Sequence, residues 1–165
     1  MRHNSSLEIE VSEEKRLIVS SRFGEIEYST SDIINLVIPL YGFDRLKSFI
    51  LLKNTKIFPL AWFQSVEKPE ISFMMVDLKA YFSGYNPEVR KMDLRSLGAQ
   101  CNDDIVIYGI VVVKSPKEKS TVNLKAPVII NLQKRLAKQL ILENSNFLVK
   151  TPLFGKRDAD TKKED

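Results

Sequence analysis

Short hydrophobic runs alternate with polar turns along most of the chain, and several runs follow the two-residue period of β-strands. Residues 25–28 (Glu-Ile-Glu-Tyr) alternate strictly, which predicts a half-buried strand. Residues 105–113 carry no charge and are rich in β-branched side chains, which predicts a central strand buried on both faces. We predict further strands at residues 7–11, 17–23, 36–38, 49–52, 59–66, 71–76, 121–124, 128–131, 139–142 and 147–149.

Helical signals are few and short. Asp77 is a suitable N-cap for a helix that ends near Gly84, and residues 93–98 can form a second short helix. Many short strands separated by Gly, Pro, Asn and Asp predict an all-β, mainly antiparallel fold. We therefore expect a small closed or partly open β-barrel with one or two short helices. A length of 165 residues is sufficient for one domain with its own core.

The residue types that carry most enzyme chemistry are scarce. The chain has one histidine, His3, and one cysteine, Cys101, and it has no glycine-rich phosphate-binding motif. We therefore predict no catalytic residue, no cofactor and no metal site, and we expect a protein that works by binding other proteins. The longest apolar run is much shorter than the ~20 residues of a membrane-spanning helix, and no secretory signal is visible, so we expect a cytoplasmic protein without a membrane partner.

The net charge of +4 is unevenly distributed. The segment from Lys114 to Lys138 contains one acidic and seven basic residues, so it carries +6 and the rest of the chain −2. This segment is either ordinary solvated surface or a binding surface for an acidic protein or for RNA. It contains no aromatic residue, which disfavours stacking on RNA bases but permits contact with phosphates. The basic residues are Lys114, Lys117, Lys119, Lys125, Lys134, Arg135 and Lys138.

Several local sequences, in this order, resemble the flagellar assembly factor FliW family. They lie at residues 23–26, 33–34, 39–44, 58–66, 69–73, 121–131 and 137–142, and together they span about residues 16–153. The most specific are Trp-x-Gln-Ser, which begins at Trp62, and Asn-Leu-x-Ala-Pro-x-x-x-Asn, which begins at Asn123. Phe63 stands where the family often has Leu, a change between apolar side chains.

The resemblance implies a β-barrel protein without enzyme activity that binds flagellin in the cytoplasm. It also implies that the free protein binds and antagonises CsrA, a small dimeric RNA-binding repressor of flagellin translation. We accordingly expect flagellin and a CsrA-type repressor as partners, no direct contact with nucleic acid, and a monomer in the free state. The alternative is a β-barrel that binds RNA through the Lys114–Lys138 segment.

The same comparison divides the chain into three parts. Residues 1–15 form an N-terminal extension that could add a strand, residues 16–154 form the FliW-like barrel domain, and residues 155–165 form a charged tail. Because the tail contains no large apolar side chain, it cannot bury enough surface to offset the entropy of ordering, and we expect it to be disordered.

Candidate protein-binding residues come from the same motifs. Loop aromatics are frequent at protein interfaces, although Phe43 and Trp62 could simply belong to the core, which large aromatic side chains usually do. Pro127 has no N–H, so it predicts an edge or bulge that could accept a partner strand, or the motif around it could simply close the barrel. The ten candidates are Tyr41, Phe43, Trp62, Phe63, Gln64, Ser65, Asn123, Lys125, Pro127 and Asn131.

Overall fold

The structure is a computed structural model that describes residues 13–155. The predicted strand at residues 7–11, and the predicted tail beyond residue 155, lie outside the described residues. The strands are β1 Lys15–Ser20, β2 Gly24–Ser29, β3 Ile33–Leu36, β4 Ser48–Lys53, β5 Leu60–Ser65, β6 Ser72–Asp77, β7 Val106–Val112, β8 Thr121–Val122, β9 Val128–Asn131, β10 Leu136–Gln139 and β11 Thr151–Pro152. The helices are α1 Leu78–Tyr81 and α2 Lys91–Ser96.

Seven of the strands close into a barrel. Their order is β7-β6-β5-β4-β3-β10-β9, and pairing of β9 with β7 completes the circle. All neighbours are antiparallel except β3 and β10, which run parallel. The predicted all-β fold, a small closed barrel with two short helices, is confirmed.

The strand β7 has a core on each of its faces. Tyr108 faces the barrel interior, where Phe49 and Phe63 stack with ring centroids 4.4 Å apart. Ile107 faces outward into a second core, which α1, α2 and β8 cover. The prediction that this strand is buried on both faces is therefore confirmed for its central residues, while Val112 at its end is exposed.

The hairpin β1–β2 packs outside the barrel. Ile18 and Tyr28 contact Ile50 on the outer face of β4, so the hairpin covers apolar side chains that the barrel does not enclose. The other face of the hairpin exposes Leu17 and Val19 to solvent.

The predictions for the last two strands were wrong in position. The ladder of β10 begins at Leu136, because Arg135 adopts a left-handed conformation (φ 55°) that reverses the chain directly after β9. Leu142 and Phe147, which carried the predicted strands, instead pack against the outer core from irregular segments. The strand expected at residues 147–149 is absent from the described residues, and β11 is a two-residue strand further along.

One other boundary differs from prediction, and one is confirmed. β3 ends at Leu36 rather than continuing to residue 38, since Ile34 and Leu36 fill the interior while Val37 is exposed. The N-cap predicted at Asp77 is confirmed, because its side chain accepts a hydrogen bond from the N–H of Ala80 at 3.2 Å.

Candidate protein-binding surface

Gln64 of the Trp-x-Gln-Ser motif is a buried hydrogen-bonding centre between the barrel and the hairpin. Its Oε1 accepts from Ser20 Oγ at 2.8 Å. Its Nε2 donates to the carbonyls of Ser65, Pro69 and Ile71 at 2.9, 3.0 and 3.1 Å. The side chain thereby fastens the end of β1 to the turn between β5 and β6.

The neighbours of Gln64 on β5 point into the barrel. Phe63 is fully buried against Phe49. Ser65 is also fully buried, and its Oγ accepts from the N–H groups of Glu67 and Lys68 at 3.2 and 2.9 Å. These side chains hold the strand and the following turn in shape, and a partner cannot reach them directly.

Trp62, in contrast, is half-buried and faces outward beneath the hairpin tip. Phe23 meets it edge-to-face with centroids 5.3 Å apart, and the Arg22 guanidinium lies 4.4 Å from the indole centroid. Tryptophan and arginine are both enriched in protein-binding hot spots, and here a cation–π contact holds the two together.

The two asparagines of the Asn-Leu-x-Ala-Pro-x-x-x-Asn motif form hydrogen bonds with the turns that follow them. Asn123 Oδ1 accepts from the N–H groups of Lys125 and Ala126 at 3.1 and 2.9 Å. Asn131 is buried; its Oδ1 accepts from the N–H groups of Gln133 and Lys134 at 3.1 and 3.2 Å, and its Nδ2 donates to the Leu97 carbonyl at 2.9 Å. Both asparagines act as local caps, as side-chain amides do where backbone ladders are interrupted.

The edge predicted at Pro127 is filled by the chain itself. The N–H of Leu140 donates to the Pro127 carbonyl at 2.8 Å, and the N–H of Leu142 donates to the Lys125 carbonyl at 2.9 Å. Pro127 is buried, and Lys125 is partly exposed. A partner strand therefore cannot add at Pro127 unless residues 140–142 move away.

Tyr41 lies on an exposed apolar rim. Its side chain is 86% exposed, and those of Ile38 and Ile141 are 54% and 60% exposed. The N–H of Tyr41 donates to Gln139 Oε1 at 3.0 Å, which ties the loop after β3 to the end of β10. Phe43, two residues on, is half-buried edge-to-face against Phe73 and anchors this loop.

The rim borders an open groove of about 750 Å³, which is lined by Ile38, by polar residues of the segment around α2 and by residues 138–147. Asp93 lies in its floor and is 2% exposed. Its carboxylate accepts from Arg90 Nε at 2.9 Å and from Lys138 Nζ at 2.8 Å. Burial alone would raise the pKa of Asp93, but the hydrogen bonds and charges of Arg90 and Lys138 outweigh burial and lower it.

The basic residues of the Lys114–Lys138 segment are spread along β7 and are not gathered at one end of it. Lys138 is 11% exposed and is paired with Asp93. The loop from Lys114 to Lys119 follows the end of β7, whereas Arg135 lies in the turn after β9, next to the start of β7. A seven-residue strand separates these two ends by about 20 Å.

The ten candidates therefore divide by accessibility. The structure places Tyr41 on the groove rim and Trp62 beneath the hairpin tip, and it buries Phe63, Gln64, Ser65, Pro127 and Asn131. Ile38 and Ile141 were not among the predicted binding residues, because an exposed isoleucine inside an apolar run has the same local pattern as a buried one. Asp93 was not predicted either, because its partner Lys138 is distant in sequence.

Comparison with known proteins decides the family. A family model described as FliW protein matches residues 16–153. The chain belongs to the FliW family. This confirms the resemblance on which the partner predictions depend.

Relatives in the family match over most of their own length. The chain is 36% identical over 151 residues to the flagellar assembly factor FliW of Geobacter sulfurreducens, covering 86% of this chain and 94% of that protein. It is 39% identical over 146 residues to the flagellar assembly factor FliW of Natranaerobius thermophilus, covering 88% and 95%. A crystal structure of the flagellar assembly factor FliW superposes with a TM-score of 0.79 at 33% identity, covering 86% of this chain and 99% of that one.

Residues 13–155 contain neither a metal-binding cluster nor a helix suited to span a membrane. Among these residues, no group of three or more His, Cys, Asp or Glu side chains is arranged to hold a metal ion. None of the helices in the same range is long and apolar enough to cross a membrane.

Proposed function

We propose that this protein is a non-enzymatic regulator of flagellar assembly that binds flagellin in the cytoplasm. When it is free of flagellin, it binds a CsrA-type repressor and relieves repression of flagellin synthesis. The observation that carries the proposal is the match to the FliW family across residues 16–153. It acts as a monomer in the free state and needs no cofactor.

The accessible candidates supply the binding surfaces in this proposal. Tyr41 and the adjacent isoleucines of the groove rim offer apolar area that a partner can bury. Trp62 with Arg22 offers a second aromatic contact point. The buried candidates Phe63, Gln64, Ser65, Pro127 and Asn131 support these surfaces from below, while Phe43, Asn123 and Lys125 shape the adjoining loops.

Regulation follows from linked binding equilibria. Each molecule occupied by flagellin is unavailable to the repressor, so accumulating flagellin releases the repressor, which then stops further synthesis. When flagellin leaves the cell, the freed regulator captures the repressor again. No covalent chemistry is required in this cycle.

Co-elution tests the proposal directly. The purified protein is mixed at micromolar concentration with monomeric flagellin, and separately with the CsrA-type repressor, both from the same organism, and each mixture is run on a size-exclusion column. We expect a stable complex with each partner. Failure of both partners to co-elute contradicts the proposal.

The alternative of direct RNA binding is tested by titrating flagellin leader RNA in the absence of the repressor, across a series of salt concentrations. Because the basic residues are spread along the length of β7 and Lys138 is paired with Asp93, we expect no submicromolar binding. Tight binding that weakens steeply with salt would favour the RNA-binding function instead.

A further inference from the structure

The groove rim contains an extended segment, residues 139–142, that is hydrogen-bonded along one side. Leu140 and Leu142 donate to the carbonyls of Pro127 and Lys125. In an extended chain the backbone groups of successive residues point to opposite sides. The N–H and C=O of Ile141 therefore point away from Pro127, and neither has a hydrogen-bond partner within residues 13–155.

The N–H and C=O of Ile141 point to the side of β10 on which β3 lies. β3 pairs only with an earlier part of β10. Val37, directly after β3, still donates from its N–H to the Ala137 carbonyl at 2.9 Å. Pro39 cannot donate a ladder hydrogen bond, and the N–H of Phe43 bonds to the Leu40 carbonyl at 2.9 Å, so the chain turns away. β3 thus leaves the ladder before it reaches Ile141.

The surroundings of this edge define the chemistry of what can bind. Ile38 and Ile141 present exposed apolar side chains to the groove. Glu88 and Glu143 are exposed groove residues, whereas the positive charges of Arg90 and Lys138 are both engaged by Asp93. Asp93 offsets only one of these two positive charges, so the five ionised side chains of the groove sum to −1, and both glutamates also attract Arg90.

We propose that the Ile141 edge binds an extended segment of a partner protein by strand addition, in the place along β10 that β3 leaves. The segment carries apolar side chains at alternate positions, which contact Ile38 and Ile141, and basic side chains that face Glu88 and Glu143. Strand addition pairs the N–H and C=O of Ile141, whereas a bound helix satisfies its own backbone and leaves them unpaired. The inference rests on the proposed function only in taking the occupant to be a protein.

A synthetic peptide and one pair of variants test the inference. The probe is a seven-residue peptide of alternating lysine and valine, blocked at both ends, and its binding is measured by titration calorimetry. Ile141→Pro removes the free N–H without breaking a native hydrogen bond, and Ile141→Val is the matched control that keeps it. We expect Ile141→Pro to weaken peptide binding about fivefold or more, the effect of losing one hydrogen bond, and Ile141→Val to change it by less than about twofold.

Hydrogen exchange of the wild-type protein supplies a second readout that does not depend on how well the proline variant folds. The Ile141 amide should exchange rapidly in the free protein and become protected when the lysine–valine peptide is added. A peptide with glutamate in place of lysine should bind more weakly, because it meets Glu88 and Glu143.

Three results would overturn the inference: unchanged peptide affinity of a folded Ile141→Pro variant, an Ile141 amide that gains no protection, or sedimentation showing that the edge instead pairs two copies of this chain. The wild-type protein is also run with flagellin and with the repressor as described above. If both complexes form and any of the three results is obtained, strand addition is refuted and the proposed function is not. If both complexes fail to form, the proposed function is refuted.

Discussion

At the scale of single residues, Asp93 shows how a side chain distant from the exposed rim organises the groove. Its carboxylate joins Arg90, beside α2, to Lys138 on β10. Removing one member of a buried ion pair leaves the other charge without compensation, which costs more than the pair itself contributes.

The first prediction concerns Asp93→Asn, which leaves Lys138 buried without its counter-charge. We expect a loss of about 3 kcal/mol in the free energy of unfolding at pH 7, measured by urea denaturation. Because the folded-state pKa of Asp93 is lowered, its contribution is present above the unfolded pKa of about 3.9 and is lost as the pH falls through the folded value.

The difference between the wild type and Asp93→Asn should therefore shrink below about pH 4. Asp103→Asn, at an exposed position, is the control and should be neutral. Equal stability of wild type and Asp93→Asn at pH 7 would refute this account of the groove floor.

The second prediction concerns Gln64→Met, which keeps the volume but removes the hydrogen bonds to Ser20 and to three carbonyls. Leaving these buried groups unsatisfied should cost about 2 kcal/mol. Trp62, the one tryptophan of the chain, lies beneath the hairpin tip, so its fluorescence should shift to the red as the tip loosens. Gln133→Met, at an exposed site, should change neither stability nor fluorescence.

At the scale of secondary-structure elements, the hydrophobic pattern predicted most strands but not how each one is covered. The alternation in residues 25–28 and the uncharged run around β7 each predicted a strand correctly, because both patterns reflect local side-chain geometry. The pattern could not show that Gln64 would be buried by a hairpin, or that Leu142 would pack from an irregular segment. Those outcomes depend on contacts between residues far apart in sequence.

The third prediction tests how β7 contacts its neighbours. A Cβ on Gly109 would lie 2.5 Å from Val122 Cγ2 and 2.8 Å from Leu78 Cδ2, so α1 and β8 approach β7 closely only because this residue has no side chain. Gly109→Ala should lower the unfolding free energy by about 1–3 kcal/mol, measured by chemical denaturation.

The double variant Gly109→Ala/Val122→Ala provides the control for that explanation. Removing the Val122 methyl groups relieves the closest contact. The double variant should therefore lose less unfolding free energy than the sum of the losses of the two single variants. Simple additivity would show that the close approach to Val122 is not the cause.

At the scale of the whole molecule, the basic residues are arranged differently in the fold from the way the sequence suggests. The sequence placed seven basic residues in one segment, whereas the barrel spreads them along β7 from its start to beyond its end and pairs Lys138 with Asp93. The accessible surface that remains most distinctive is the apolar rim of the groove together with Trp62. In the proposed function, these are the surfaces at which the protein exchanges one protein partner for another.

The most direct test of that central claim is a competition titration. The CsrA-type repressor is titrated calorimetrically into the protein alone and into the protein saturated with monomeric flagellin. We predict that the repressor binds the free protein with a Kd in the micromolar range or tighter, and that saturating flagellin weakens its apparent affinity at least about tenfold. Equal repressor affinity with and without flagellin, or no binding in either titration, would contradict the account.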